Sequence, residues 1–415
     1  MVADRPKGGG SPIGRALRRP AFRRLFFAQT VSRWGDTFNT VAFVIVVFNL
    51  TGSGLQVSGV VVMEILPVLT LGFVAGTVVD RLPRRRVMIA ADVGRAAIAA
   101  LLVFSPDRLL ALYAGAFGLS ALSIFFNPAA ASVTPDLVDE DELVGANSAV
   151  WSAAVLSQII LAPVAGAVVA WTGASTAFAI NAASFLISAV ALTRVPVSAQ
   201  PRIHLQSRWA QAVEGVQVIR RSRFLSTLAS VQALAALSAG ATSALLVVLA
   251  QRHLRVEASG FGLLLAAIGI GAGLGPLILQ RFVTDVRRPS LMFGPYLLRG
   301  IVDLVLAAFS NFAVALGALA VYGLGTSTGN VTYNSALQAA TPERLRGRVF
   351  AFYDVVWQTA RLISIGVGGV LADQLGVRGV YIMGGSLLLA AAGLGFARVP
   401  SSTMINPIPD RPRNR

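Results

Sequence analysis

Between two long apolar stretches, the chain turns through the sequence GTVVDRLPRRR at residues 76–86. This turn carries one aspartate and four arginines in a chain that is 55% hydrophobic and only 13% charged. The flanking stretches, about 56–79 and 86–104, each approach the ~20 residues that an α-helix needs to cross a bilayer core. The turn therefore predicts a polar loop at a membrane surface between two spanning helices.

The same alternation of apolar stretches and short polar turns continues along all 415 residues. A mean hydropathy of +0.70 excludes a water-soluble enzyme, and the pattern predicts an all-α integral membrane protein with twelve transmembrane helices. The predicted spans are residues 24–49, 56–79, 86–104, 109–133, 144–170, 175–194, 224–250, 259–281, 289–309, 312–334, 348–372 and 377–397.

Cysteine is absent, and the two histidines lie far apart in the sequence. This composition excludes disulfides and thiolate catalysis, and it disfavours a zinc or histidine-based metal site. A membrane-embedded enzyme would need a nucleophile with a base or a metal cluster, and an ATP-driven pump would need a Walker segment. We find none of these in the sequence, so we expect no cofactor, no metal and no enzymatic activity.

The net charge of +16 is almost entirely arginine and is distributed unevenly among the loops. The amino terminus, the carboxyl tail and the loops after even-numbered spans hold 27 basic residues, whereas the other loops hold only Arg108, Arg252, Arg255 and Arg378. Because cytoplasmic loops are enriched in positive charge, both termini are predicted to be cytoplasmic. The basic residues also favour contact with anionic membrane lipids. No basic-aromatic patch indicates nucleic-acid binding.

Two groups of matching residues indicate an internal duplication. Asn127 and the segment 134–136 correspond to Asn334 and the segment 341–343, at an offset of 207 residues. Gly166 and Gly173 correspond to Gly369 and Gly376, at an offset of 203. We predict two pseudo-symmetric six-helix halves at 24–194 and 224–397. A basic amino terminus (1–23), a cytoplasmic linker (195–223) and a cytoplasmic tail (398–415) complete the chain.

The loop at 76–86 resembles the signature loop of the major facilitator superfamily, although Pro83 replaces its second glycine. The matching residues are Gly76, Asp80, Arg81, Arg84 and Arg85. In that family the loop locks the cytoplasmic face when the protein opens outward, and its charges pair with an acid at the end of the fourth helix. Asp136 holds that place here, so the resemblance implies a gating network and the major facilitator fold. The alternative is that the arginines only anchor the loop on the cytoplasmic side.

The whole chain is similar to the branch of this superfamily that contains the enterobactin exporter and macrolide efflux proteins. The shared segments are the Gly35-Asp36 pair, the turn at 50–53, the Asp80-Arg81 loop and Pro-Asp-Leu-Val at 135–138. The resemblance implies a proton-coupled secondary transporter that exports small amphipathic compounds, such as drugs or siderophores, across a bacterial cytoplasmic membrane. A transporter of lysophospholipids or other lipid-like substrates is the closest alternative. A channel and a non-transporting sensor are weaker ones. We expect a monomer.

Charged groups within the spans are functional candidates because their insertion costs about 2.5–3.5 kcal/mol each. Asp36 and Glu64 fall at comparable depths near the midplane of the first two spans. Two such carboxylates are suited to carry a proton or attract a cationic substrate. For Asp36 the alternative is an ion pair with Arg33, three residues earlier on the same helix face. Arg361 has no local partner, and we expect it to meet a carboxylate across the cavity or to bind an anionic substrate.

Two further charge pairs have helical spacing. Asp92 and Arg95 lie three residues apart and Arg299 and Asp303 lie four apart, so each pair is predicted to form within its own helix. We expect these pairs to serve structure or gating. The remaining candidates are aromatic and polar groups of the cavity helices, which either line a site for amphipathic compounds or simply pack. They are Phe38, Asn39, Gln232, Tyr333, Asn334, Tyr353 and Gln358.

Overall fold

The computed structural model describes residues 12–196, 219–220, 222–282, 288–341 and 345–399. Within these ranges it does not describe the side chains of residues 12, 73–78, 80, 140, 280 and 282. Most of the predicted linker and nearly all of the predicted tail lie outside the described residues. All regular elements of the described ranges are helical. The main helices are α1 (Pro12–Arg18), α2 (Pro20–Thr51), α3 (Gly54–Arg81), α4 (Arg84–Val103), α5 (Leu109–Leu137), α6 (Leu143–Thr172), α7 (Ala174–Leu192), α8 (Arg223–Ala244), α9 (Ala258–Phe282), α10 (Pro289–Ala308), α11 (Phe312–Ala340) and α12 (Arg346–Arg398).

The twelve predicted spans coincide with these helices to within a few residues, apart from the end of the seventh. Nine helices of the described ranges are long and apolar enough to cross a membrane. Helices α2 and α4 do not reach that hydropathy because they carry several arginines and an internal aspartate. Helix α12 contains the last two predicted spans. The described chain is thus a multi-helix membrane protein.

Glycines at equivalent places of the repeat make the same backbone turn. Gly173, between α6 and α7, has φ 82° and ψ 171°, and Gly376, inside α12, has φ 80° and ψ 157°. Both dihedral pairs lie in a region that L-residues with a side chain rarely adopt. Gly376 therefore divides α12 into two helical segments, just as Gly173 separates two helices. The two glycines that the repeat pairs thus have the same backbone conformation.

Helix ends follow local sequence signals. Pro20 and Pro289 stand in the first turn of α2 and α10, where a missing N–H costs nothing. The Ser222 hydroxyl accepts a hydrogen bond from the Leu225 amide at 3.3 Å, and the Asn311 side chain caps α11 in the same way. Gly52 ends α2 in the left-handed conformation, with φ 62°.

The described part of the basic amino terminus contains a helix that packs on the first bundle. Helix α1 lies against α6 and against the acidic turn that follows α5. Arg15 pairs with Asp141 at 2.9 Å, and Arg19 pairs with both Asp139 and Glu142. The hydrogen bond to Glu142 and the two acidic charges raise the pKa of Arg19. The acidic run after α5 therefore serves as the partner of the first described residues.

The seventh predicted span, 224–250, differs from the structure at its end. Helix α8 stops at Ala244, and the chain continues through a short helix, Leu246–Val248, and a π-helical turn, Leu249–His253. Every residue from 244 to 250 is buried. An apolar run alone cannot distinguish a straight helix from one that loosens into a π turn, since both satisfy the buried backbone.

The helices form two bundles that pack against each other. Helices α2 to α7 contact mainly one another, and so do α8 to α12. The bundles meet where α6 packs against α9 and where α3 packs against α12. We call the end of the molecule that contains Arg81 and 139–142 the basic end, and the end that contains Gly52, Gly173 and Gly376 the glycine end.

Small residues bring the bundles together toward the glycine end. A side chain at Gly166 of α6 would collide with the backbone carbonyl of Ala258, and one at Gly262 of α9 would collide with that of Ala162. A side chain at Gly369 of α12 would likewise crowd Ser58 of α3. Because Gly166 and Gly369 are repeat partners, the two contacts between the bundles are themselves pseudo-symmetric.

Candidate functional site

The first bundle encloses a cavity of about 260 Å³ between α2, α4, α5 and α6. We call it the N-terminal cavity. Among its lining residues are Gln29, Arg33, Asp36, Arg95, Ser123 and Asn127. Asp36 lies near the middle of α2 and is half-buried, while Arg33 is exposed. The cavity therefore contains a carboxylate and two guanidinium groups within a largely apolar bundle.

Arg95 and Arg33 line the cavity together with Asp36. No ion pair within 4 Å joins Asp36 to either arginine among the described side chains. The carboxylate is consequently close to positive charge without being locked to it.

Arg95 is held rigidly by several groups. It pairs with Asp92, as the spacing predicts, and donates to the Ser123 hydroxyl at 3.3 Å. Its guanidinium also lies 4.5 Å from the ring centre of Phe126 and 4.3 Å from that of Phe185. Such cation–π contacts strengthen in a desolvated site. Arg95 is therefore a fixed positive group at the cavity wall.

Asp92 is the acidic member of this ion pair. It is fully buried and accepts a hydrogen bond from the Ser188 hydroxyl of α7 at 2.7 Å. This hydrogen bond satisfies the second carboxylate oxygen of the buried pair, whereas Nε of Arg95 has no partner among the described residues. The Asp92–Arg95 pair thus ties α4 to α7 and orients Arg95 toward the cavity.

Glu64 lies on α3 and Arg361 on α12, each near the middle of its helix segment. The two groups interact electrostatically across the junction of the bundles, and Asp36 acts on Glu64 more weakly. A carboxylate across the cavity is one of the two partners that the sequence predicts for Arg361, but no ion pair within 4 Å joins it to Glu64 among the described side chains.

The second bundle forms a larger, partly open cavity of about 390 Å³ between α8, α10, α11 and α12. We call it the C-terminal cavity. Its wall is mainly aromatic, and Tyr296, Tyr333, Phe350, Tyr353 and Trp357 all line it. Four of the seven predicted cavity residues line it as well: Gln232, Tyr333, Asn334 and Tyr353.

The tyrosines of this cavity differ in how their hydroxyls are satisfied. Tyr353 donates to the Leu225 carbonyl at 2.6 Å, and the Tyr296 hydroxyl lies 3.4 Å from Oε1 of Gln232. Tyr333 packs edge-on against Tyr353, with ring centres 5.8 Å apart. Its buried hydroxyl has no hydrogen-bond partner in the described part of the chain.

Arg299 and Asp303, which the sequence predicts to pair, have different partners in the structure. Arg299 donates to the Tyr322 hydroxyl at 2.9 Å and lies over the Tyr322 ring. Asp303 is 3.4 Å from the Ser238 hydroxyl of α8. The prediction of an intrahelical ion pair is wrong because these neighbouring helices offer hydroxyls that each charged group reaches first. Arg299 nevertheless lines the C-terminal cavity.

The three other predicted cavity residues lie outside both cavities. Phe38 belongs to the apolar core, and Gln358 is half-buried on α12. Asn39 is buried, and its Oδ1 atom lacks a partner among the described residues.

At the basic end, part of the predicted gating network is visible. Arg84 is buried, lies 3.3 Å from Oδ2 of Asp136 and also approaches the Ser132 carbonyl. Arg85 reaches carbonyls at the end of α7, and Arg81 is exposed. Gly76 lies in the last part of α3, and the side chain of Asp80 is outside the described part of the structure. The Arg84–Asp136 contact joins α4 to α5, within one bundle.

At the glycine end, the hydrogen bonds connect the two bundles. Asp373 of α12 accepts from the Ser53 hydroxyl at 2.5 Å and from the backbone amides of Gly54 at 2.7 Å and Leu55 at 3.2 Å. Arg252 donates to the Gly52 carbonyl. Asp373 thus caps the amino terminus of α3 from the opposite bundle.

The two cavities occupy equivalent places in the repeat. Three pairs of like residues line both, at offsets of 203, 204 and 207: Gln29 with Gln232, Arg95 with Arg299, and Asn127 with Asn334. Gln29 and Asn127 were not predicted as cavity residues from the sequence. The repeat offset would have found them, because each has the same side chain as a predicted cavity residue of the second bundle.

The fold is that of a membrane transporter. A solved structure of a bacterial homologue of the iron transporter ferroportin matches with a TM-score of 0.74 at 16% identity, covering 92% of this chain and 99% of that one. The chain belongs to the transmembrane secretion effector family of the major facilitator superfamily, whose model matches residues 12–412.

Relatives with a named function are efflux transporters. The chain is 28% identical to the multidrug efflux pump Tap of Mycobacterium tuberculosis over 95% of this chain and 98% of the relative. Macrolide efflux protein A of Streptococcus pyogenes is 24% identical over 89% of this chain and 94% of its own length. The resemblance drawn from the signature loop is confirmed.

Proposed function

We propose that the protein is a proton-coupled antiporter that exports small amphipathic compounds by alternating access. The observation that carries this proposal is the placement of Asp36, Glu64 and Arg361 near the middle of helices from both bundles, with Glu64 within electrostatic range of each of the other two. Carboxylates in such a site can exchange a proton for a cargo when the bundles move. The efflux relatives support the direction of transport.

The coupling proposed here uses the charges around the carboxylates. When Asp36 is ionised, Arg95 and Arg33 stabilise it, and when Glu64 is ionised, Arg361 does so from the other bundle. Protonation of Glu64 removes its attraction to Arg361, so the balance between bundle arrangements changes with proton occupancy. A neutralised carboxylate then favours one arrangement and an ionised one favours the other.

We also propose an orientation of the protein in the membrane and a conformational state. All twelve helical spans cross the cytoplasmic membrane of a bacterium, and both termini are cytoplasmic, because the basic residues accumulate at one end. The basic end then faces the cytoplasm, and the glycine end faces outward. Hydrogen bonds between the bundles at the glycine end support an arrangement closed to the outside. The transporter acts as a monomer.

Dye efflux tests the proposed function directly. Cells that express the chain are loaded with fluorescent amphipathic dyes, and efflux is followed with and without a protonophore. We expect efflux that the protonophore abolishes and that the Asp36→Asn, Glu64→Gln double variant loses. Asp107→Asn, at an exposed loop carboxylate of the glycine end, is the matched control. Unchanged efflux and unchanged pH dependence in the double variant would overturn the coupling mechanism.

The alternatives from the sequence have distinct outcomes in parallel assays. Movement of labelled lipid between leaflets of reconstituted vesicles, without dye efflux, would replace the drug-export proposal by a lipid-like substrate. The absence of both activities would favour a sensor. Efflux that survives the protonophore would retain export but remove proton coupling.

A further inference from the structure

Asp303 of α10 is a buried carboxyl group that the proposed coupling by Asp36 and Glu64 does not use. Its relative exposure is 1%, and its Oδ2 atom lies 3.4 Å from the Ser238 hydroxyl of α8. Helix α12 covers it from another side, since a methyl group at Gly384 would lie 3.6 Å from the same oxygen. The carboxyl group is thus enclosed where three helices of the second bundle meet.

The titratable neighbours of Asp303 have other partners. Arg299 precedes it by one turn of the same helix, but the guanidinium donates to the Tyr322 hydroxyl at 2.9 Å and lies over the Tyr322 ring. No ion pair within 4 Å joins Arg299 to Asp303 among the described side chains. Tyr381 of α12 also faces Asp303, and its hydroxyl donates to the Thr242 carbonyl at 2.7 Å. Neither neighbour therefore neutralises an ionised Asp303 by direct contact.

Asp92 of the first bundle shows what a buried, ionised carboxylate requires. It is as inaccessible as Asp303, with 0% exposure. One of its oxygens pairs with Arg95, and the other accepts from the Ser188 hydroxyl at 2.7 Å. Asp303 has only the long contact with Ser238 in the described part of the chain. An ionised carboxyl group with so few partners is strongly disfavoured in an apolar interior, so it binds a proton instead.

We infer that Asp303 is a further proton-binding residue of the transporter and that it holds its proton in the arrangement described. One carboxylate oxygen takes up the proton from water, and the proton returns to water when the surrounding helices separate. The charge of Arg299 favours the ionised form, so a turn of its guanidinium from Tyr322 toward Asp303 promotes release. Arg299 is therefore a positioning residue. The role in transport rests on the proposed function, whereas the protonation itself does not.

One turn of α8 separates Asp303 from the part of α12 that contains Arg361. Ser238 of this turn contacts Asp303, and a side chain at Gly240 would collide with the Arg361 carbonyl. Because the contact at Gly240 is with backbone, α8 cannot move there without displacing α12. Release of the proton from Asp303 is thereby linked to the position of Arg361, the cation that interacts with Glu64.

Infrared spectroscopy of the purified full-length protein tests the proton on Asp303. A protonated carboxyl group has a carbonyl band that the ionised form lacks, and a pH titration shows where that band disappears. We expect a carboxylic acid band near neutral pH in the wild type and its loss in Asp303→Asn. Asp36→Asn and Asp107→Asn, the latter at an exposed loop acid, are controls that should keep the band removed by Asp303→Asn.

Thermal unfolding separates a protonated Asp303 from one that is ion-paired with Arg299. Asparagine has the size and the neutral charge of a protonated aspartate, so Asp303→Asn should unfold close to the wild-type temperature. Asp92→Asn, at an equally buried but ion-paired carboxylate, should unfold at a clearly lower temperature. A loss in Asp303→Asn as large as that in Asp92→Asn would instead assign Asp303 to an ion pair.

Ser238→Ala retains Asp303 and remains informative if Asp303→Asn fails to fold. The Ser238 hydroxyl donates to the carboxylate, so its removal disfavours the ionised form. The acid band should then persist to a higher pH than in the wild type, by up to about one pH unit. Ser243→Ala is the matched control, because the Ser243 hydroxyl donates to the Gly240 carbonyl of its own helix.

Several outcomes would overturn the inference. They are the same acid bands in wild type and Asp303→Asn, or the same titration in wild type and Ser238→Ala. In transport, Asp303→Asn should lose part of the pH dependence of efflux, and an unchanged pH profile would contradict a role in coupling. The two proposals fail separately. The Asp303 band without protonophore-sensitive efflux contradicts the proposed function alone, whereas coupled efflux without this band contradicts the inference alone.

Discussion

Asp373 of α12 accepts a hydrogen bond from the Gly54 amide of α3 at 2.7 Å, so a carboxylate of one bundle caps a helix of the other. Ser53 and Leu55 donate to the same carboxylate. A cap normally comes from the helix's own chain neighbours, and here it joins two bundles that separate in the proposed transport cycle. These polar contacts therefore add to the close packing that joins the bundles at the glycine end.

Loss of this charge should favour opening at the glycine end. Asp373→Asn keeps an acceptor oxygen but removes the charge that interacts with the amino terminus of α3. Because Asp373 is exposed, we expect a shift of about 1 kcal/mol, or about fivefold in the ratio of closed to open protein. The chain has no cysteine. Spin labels at Leu50→Cys and Leu375→Cys, one on each bundle, therefore measure the separation.

The control for this experiment is Asp107→Asn, an exposed acid at the same end that belongs to one bundle only. It should leave the label distances unchanged. Equal distance distributions for wild type and Asp373→Asn would show that the cap does not contribute to closure.

The same carboxylate predicts a pH dependence. Burial acts to raise the pKa of Asp373, but the hydrogen bonds from Ser53, Gly54 and Leu55 and the charge of Arg252 outweigh it, so the pKa is lowered. A lowered folded-state pKa means that the contact contributes stability above the ordinary aspartate pKa of about 3.9 and loses it as the pH falls further. Label distances across this end should therefore not respond to Asp373 between about pH 5 and 8.

Acid should open the glycine end of the wild type more than that of the variant. Titration of the label distances toward about pH 3 checks this. An acid response of the same size in Asp373→Asn would assign it to another group.

Gly166 predicts a steric effect on the same equilibrium. A methyl group there meets the Ala258 carbonyl, a backbone atom that cannot rotate away. Gly166→Ala should cost the closed arrangement about 1–3 kcal/mol, lower its thermal stability in detergent and increase the label distance. Gly366→Ala is the matched control, because nothing lies within 4 Å of a methyl group at that position. Equal effects of the two substitutions would contradict the close approach.

The Asp92–Arg95 pair predicts a large stability effect. Asp92→Asn leaves Arg95 buried with its charge unpaired, and such losses cost about 3–5 kcal/mol. Thermal unfolding of the purified variant measures it. The double variant Asp92→Asn, Arg95→Met should recover much of the loss because no unpaired charge remains. Substitution of Arg15, whose ion pair with Asp141 is partly exposed, should have a much smaller effect.

Glu64 and Arg361 should behave as a coupled pair in transport. Since each acts on the other across the bundle junction, the effect of Arg361→Gln on efflux should shrink when Glu64→Gln is already present. Arg33→Gln combined with Glu64→Gln is the control, because Arg33 acts on Asp36 instead. Additive effects for Glu64 and Arg361 would indicate that the two residues act independently.

Part of the site follows from the sequence because local spacing is enough to predict it. Asp92 and Arg95 lie one turn apart, and the helix alone brings them together. Arg299 and Asp303 have similar spacing, yet each has its hydrogen bond with a neighbouring helix. Arg299 donates to the Tyr322 hydroxyl, and Asp303 accepts from the Ser238 hydroxyl. Sequence spacing predicts that two residues lie on one face of a helix, but it does not predict which side chains of neighbouring helices contact that face.

Amino-acid patterning by itself determined the helices, their approximate bounds, the internal repeat and the family. Apolar length and arginine distribution are local properties, and the repeat glycines Gly173 and Gly376 carry their turn in their own backbone freedom. Only the tertiary structure decided the cap on α3 by Asp373, the partners of Arg299 and the unsatisfied hydroxyl of Tyr333. Each of these depends on contacts between residues far apart in the chain, which exist only after the helices pack.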